Sequence, residues 1–118
     1  MSQVRVLSQG LTQDYEAFAR LMKRETAYIE ENEPGTLVME CFADDASGRV
    51  VVHEVYADAD AFIVHVESLM GGDRITELAE VFELKRLTFL TRIEDERVAT
   101  IARQFGATEV AGVAGFAR

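Results

Sequence analysis

Tryptophan is absent from this chain of 118 residues, and cysteine and proline occur once each. With Cys41 alone there can be no intrachain disulfide, no zinc knuckle and no CxxC redox pair. Basic charge is also scarce. Twelve Lys and Arg stand against 21 Asp and Glu, for a formal net charge of −9. That field repels phosphate backbones and no basic cluster interrupts it, so no nucleic-acid partner is expected. No uninterrupted apolar run approaches the length needed to cross a bilayer, so no membrane partner is expected either. Met1 to Gly10 contain Arg5 and several polar groups but no apolar core of signal-peptide length. The expected setting is cytoplasmic and reducing.

What the chain does contain is ordinary globular material. Hydrophobic residues make up 48% and charged residues 28%, which argues against disorder. The length suits one domain, residues 1–118, around one core.

Gln3 to Ser8 alternates Val4 and Val6 with polar neighbours, as a half-buried strand does, and Gly10 is expected to break it. Thr12 is placed to cap a helix, with Asp14 and Glu16 in its first turn. Leu11, Tyr15, Phe18, Met22 and Ile29 then recur at helical spacing. Pro34 ends that helix by biasing Glu33 away from helical angles, and Gly35 is expected to give the positive φ of a type II turn. Thr36 to Ala43 and Arg49 to Tyr56 form a hairpin around Asp44 to Gly48. The second of these strands is apolar on both faces, with Val50, Val52 and Tyr56 on one and Val51 and Val55 on the other. Such a strand needs cover on both sides.

Asp58 caps a helix whose inward face is Phe62, His65, Val66 and Leu69, and Gly71-Gly72 ends it. Asp73 starts another, with Ile75, Leu78, Ala79 and Phe82 at helical spacing. Lys85 to Ile93 reads as a strand, Glu94 to Gln104 as a helix with Gly106 at its C-terminal end, and Ala107 to Ala114 as a final strand. The order β-α-β-β-α-α-β, then α-β, is the split βαβ pattern of a ferredoxin-like α+β fold with an antiparallel sheet and an extra C-terminal helix and strand.

Four groups could carry chemistry. His65 shares a helical face with Phe62, Val66 and Leu69, so its imidazole points to the core or to a cavity edge. It could take a proton from a ligand hydroxyl, or it could be a core histidine with both nitrogens satisfied. His53 and Glu54 are neighbours on a strand and face opposite ways. Glu54 shares its face with Tyr56, where an ionised carboxylate needs a basic or hydroxyl partner, structural or catalytic. Cys41 lies mid-strand and reads as a small buried hydrophobe. His53, His65, Glu54 and Cys41 have no metal-ligand spacing, so no metal is expected.

The turn Glu33-Pro34-Gly35-Thr36-Leu37, the strand entry Gly48-Arg49-Val50-Val51 and the run Glu54-Val55-Tyr56-Ala57-Asp58 before the helix of His65 together resemble antibiotic biosynthesis monooxygenase (ABM) domains. The closing Gly115-Phe116-Ala117-Arg118 is similar to the tail of an uncharacterised branch of that family. The resemblance implies a dimeric α+β barrel, in which two ferredoxin-like subunits bury their open sheet faces against each other. It also implies a small apolar cavity between sheet and helices. Enzymes of the family oxidise phenolic or quinol-type compounds with O2 and without metal or flavin, and a histidine commonly stands at the position of His65. On that footing His65, Glu54 and Tyr56 are the catalytic candidates, and Phe18, Met22, Met39, Phe62 and His53 the substrate-binding ones. Active members tend to use a pocket Trp and Asn. This chain has no Trp, and its only Asn, Asn32, lies at the polar end of the first helix. A non-catalytic homodimer that binds a small apolar ligand, or serves as a scaffold, is the other reading.

Overall fold

In the computed structural model, which describes residues 2–118, the chain runs β1 (Val4–Leu11), α1 (Tyr15–Asn32), β2 (Thr36–Ala43), β3 (Arg49–Tyr56), α2 (Ala59–Met70), α3 (Arg74–Val81), β4 (Glu83–Phe89), α4 (Glu96–Gln104) and β5 (Thr108–Glu109). The sheet order is β2-β3-β1-β4-β5, antiparallel throughout except where β5 joins β4 in parallel. The first four strands in this order make the ferredoxin-like α+β fold, as expected. The helices cover one face of the sheet only.

Strand alternation decides what lies under those helices. Val4, Val6 and Ser8 of β1, Val50, Val52, Glu54 and Tyr56 of β3, and Leu87 and Phe89 of β4 face them. One buried cluster centres on Tyr56, Phe62 and Phe89, with Val98 and Ala102 of α4 closing it. A second joins Phe18 to Val50 and Val52. Each residue of these clusters brings about 25 cal/mol per Å² of apolar surface removed from water, the term that overcomes the entropy of ordering the chain. On the open face lie Phe42, Val51, Leu7, His53 and Val55. Phe42 remains 56% exposed there.

Several local expectations are corrected. Gly10 does not break β1; it lies within the strand beside a register shift against β4. A Cβ at Gly10 would overlap the Glu83 carbonyl oxygen and stand 2.7 Å from Phe82 Cε1, so close backbone approach is what requires glycine there. Leu11 consequently belongs to the strand and not to the helical stripe. The cap of α1 is Asp14, whose carboxylate accepts the Ala17 N–H, while Thr12 Oγ1 accepts the N–H of Asp14 itself. Gly35 has no positive φ. A Cβ there would sit 2.6 Å from Ala61 Cβ, so the constraint is packing of the turn against α2. Gly48 and Gly106 do take left-handed angles, with φ of 75° and 63°.

The C-terminal region differs most. β4 begins at Glu83 and stops at Phe89, earlier than expected, because Thr91 Oγ1 accepts the Arg5 N–H and ends the ladder. Helix α4 begins at Glu96, since Asp95 accepts the N–H groups of Arg97 and Val98 as its cap. The last strand is two residues long and not eight. With β4 ending at Phe89, residues 110–118 find no further edge, and they are exposed throughout. Helix α4 itself packs on its own subunit through Val98 and Ala102. No helix among the described residues is long and apolar enough to cross a membrane.

Candidate functional site

Between the sheet and α1, α2 and α3 lies a cavity of about 370 Å³. That is within the range typical of small-molecule sites. Its walls follow from the helical stripes. Phe18, Met22, Glu25 and Ile29 come from α1, Phe62, His65, Val66 and Leu69 from α2, and Ile75, Leu78 and Ala79 from α3. Ser8, Met39, Val52 and Glu54 form the sheet side.

On this apolar wall one polar cluster is assembled from four elements. Strand alternation turns Glu54 and Tyr56 the same way, and the Tyr56 hydroxyl donates to Glu54 Oε1. Ser8 Oγ donates to Glu54 Oε2 across the β1–β3 pair at 3.1 Å. His65 arrives from α2 with Nε2 3.9 Å from Glu54 Oε1. Its other nitrogen, Nδ1, is 2.9 Å from Oε1 of Glu33. Glu33 is buried at the C-cap of α1, where the stop imposed by Pro34 turns its side chain inward. Thr36 Oγ1 also donates to Glu33 Oε1, at 3.3 Å, while Oε2 has no partner.

Burial, then the neighbouring Glu54 charge and the hydrogen bond to it, hold the Tyr56 phenol well above its ordinary pKa. Tyr56 is therefore a fixed donor that orients Glu54. Burial and the same carboxylate push the Cys41 thiol up to about 11. Since the thiolate is the nucleophile, Cys41 is inert packing beside Val50 and Val52.

Of the residues named from the sequence, Glu54, His65, Phe18, Met22, Met39 and Phe62 line the cavity, and Tyr56 stands behind Glu54. His53 does not join them. It faces the open side of the sheet, with Nδ1 3.5 Å from Glu40 Oε1, as its parity opposite to Glu54 dictates. Sequence reasoning missed Ser8, Glu33 and Glu25. Glu25 occupies the buried stripe of α1 between Leu21 and Ile29, and Arg74 Nε bonds both its carboxylate oxygens at 3.0 and 3.2 Å. A carboxylate at i+4 from one core residue and i−4 from the next was the available signal. Among the described residues no group of three or more His, Cys, Asp or Glu is placed to hold a metal.

Residues 13–70, which include the α1 wall, the hairpin and the helix of His65, match the antibiotic biosynthesis monooxygenase family. The match covers 58 of the 118 residues and places that segment in the family. No curated protein matches it in sequence. Among solved structures, MupZ from Pseudomonas fluorescens is similar with a TM-score of 0.75 and 15% identity, over 100% of this chain and 96% of that one. SnoaB, a cofactor-independent oxygenase from Streptomyces nogalater, is similar with a TM-score of 0.67 and 16% identity, over 80% of this chain and 97% of that one. At such identities the likeness shows a common fold. The ABM match stops at Met70, so α3, which closes the cavity, and α4 lie beyond it.

Proposed function

We propose that this ABM protein is a cofactor-independent monooxygenase acting on a small aromatic hydroxyl or quinol-type compound with O2. The observation that carries the reading is the Glu54–His65–Tyr56–Ser8 cluster on the wall of an otherwise apolar cavity. An aromatic ring would be enclosed by Phe18, Met22, Met39 and Phe62, which exclude water and favour a flat apolar body. Removing a hydroxyl proton from such a ring raises its electron density, which is what a direct reaction with O2 needs. Glu54 and His65 are the proton acceptors within reach, and Tyr56 and Ser8 hold Glu54 in place. The family match and the fold shared with SnoaB support this reading.

Oxygen uptake on a panel of quinols and anthrone-like compounds tests it. Wild type should consume O2 with at least one of them, and Glu54→Gln should lower that rate about 100-fold. Silence of the wild type on the whole panel would reject the enzyme and leave a small-ligand-binding or scaffold protein of the same fold.

We also infer that two copies pack through their open sheet faces. Phe42 is 56% exposed, and Val51 and Leu7 extend the same surface. Such packing would cover Phe42 and Val51, which one subunit leaves partly open, whereas Val55 is already buried. Light scattering at micromolar concentration should return twice the chain mass, and a monomer would refute the packing. A cytoplasmic location suits the single free thiol.

A further inference from the structure

His65 and Glu54 set a geometric condition on the ligand. Nε2 of His65 and Oε1 of Glu54 are 3.9 Å apart, too far for a hydrogen bond between them. Both residues line the cavity, whereas Glu33, which holds Nδ1, is buried behind the ring. A carboxylate only accepts, so the 2.9 Å contact requires the imidazole hydrogen on Nδ1. In the neutral imidazole Nε2 is then left as an acceptor. Glu54 already receives one donor on each oxygen, from Tyr56 and Ser8, and each oxygen keeps a free lone pair. The cavity therefore presents two acceptors side by side.

We propose that the ligand of this cavity is an aromatic compound with two hydroxyls on adjacent ring carbons, one donating to His65 Nε2 and the other to Glu54 Oε1. Adjacent hydroxyl oxygens lie close enough to reach neighbouring acceptors together, and a lone hydroxyl satisfies one and leaves the other dry. A buried acceptor left unpaired by the ligand weakens binding, so the pair discriminates between the two classes. In this arrangement Glu33 is a positioning residue. It touches no ligand, and it decides which imidazole nitrogen accepts. The assignment rests on the ligand cavity proposed above and not on the reaction with O2.

The probes are 2,3-dihydroxynaphthalene and 2-naphthol, titrated into the full chain under nitrogen and followed by calorimetry. The diol should bind about tenfold tighter or more, the worth of one added hydrogen bond to a buried charged acceptor. Glu33→Gln should reduce that preference to within about threefold, because a glutamine amide can face His65 with either its oxygen or its nitrogen. Long-range proton–nitrogen NMR reads the mechanism directly, since the chain has only two histidines. In the wild type His65 should carry its hydrogen on Nδ1, and the diol should shift its Nε2 signal. Equal affinity for the two probes, no binding of either, a hydrogen on Nε2 in the free protein, or an unmoved Nε2 signal with the diol bound would each overturn the proposal. Should Glu33→Gln fail to fold, the wild-type measurements still decide. A preferred diol without oxygen uptake would uphold this inference and reject the oxygenase; uptake without preference would do the reverse.

Discussion

His65→Leu should cost about 3 kcal/mol of stability, a larger loss than its size change alone would give, and lower the melting temperature by roughly 10 °C. The reason lies in Glu33. Its carboxylate is 4% exposed, its Oε2 has no partner, and its Oε1 has only His65 Nδ1 and Thr36 Oγ1. Removing the imidazole leaves a buried carboxylate whose one neutral donor is 3.3 Å away. Taking away one member of a buried pair is far more damaging than replacing both by apolar groups of similar volume. The double variant Glu33→Met/His65→Leu should therefore recover most of the loss, and thermal denaturation of the two proteins measures the difference. A single variant within about 0.5 kcal/mol of wild type would mean that the pair is not a structural element. Any fall in activity of a His65 variant has to be scored against its folded fraction for the same reason.

Gly10→Ala should be comparably severe, at about 3 kcal/mol, although it adds one methyl group. The added carbon meets the Glu83 carbonyl oxygen and the edge of Phe82, at 2.7 Å from Cε1 and 2.9 Å from Cζ. The ring could rotate away, but the carbonyl belongs to the first residue of β4, so relief means parting the β1–β4 ladder at its register shift. Gly72→Ala supplies the control. A Cβ there meets nothing within 4 Å, and the change should stay within about 0.5 kcal/mol. Equal stabilities for the two variants in thermal or denaturant unfolding would contradict the close approach.

The two sites differ in how far they could be read beforehand. Glu54 and Tyr56 fall on one face of β3 by strand parity, and His65 falls on the inner stripe of α2 by helical spacing, so both facts are visible in the sequence. That the three meet is a matter of how α2 crosses the sheet, which no local pattern states. Glu33 reads locally as the residue a proline has pushed out of a helix. Its role as partner to His65, 32 positions away, exists only after the turn has packed Gly35 against Ala61. His53 shows the opposite case. Its neighbour Glu54 lines the cavity, and parity alone was enough to send His53 to the other face.

Gly10 was misread because glycine is ambiguous in one dimension. The same residue marks a chain break, a left-handed turn or a close backbone approach, and the choice depends on a strand more than 70 positions later. Gly48, in a short hairpin with its partner strands adjacent in sequence, was legible for the converse reason.

By itself the sequence determined the element order, the ferredoxin-like arrangement and the inward faces of α2 and α3. These follow from periodicity, caps and turns acting over a few residues. It also determined that β3 is apolar on both sides and that no disulfide holds the chain together. Tertiary structure decided what is near what: a carboxylate on either side of one imidazole, a two-acceptor wall in an apolar cavity, and a last strand cut to two residues because its neighbour ended early. Those outcomes depend on contacts between residues far apart in the chain, and such contacts are fixed by packing the whole core at once.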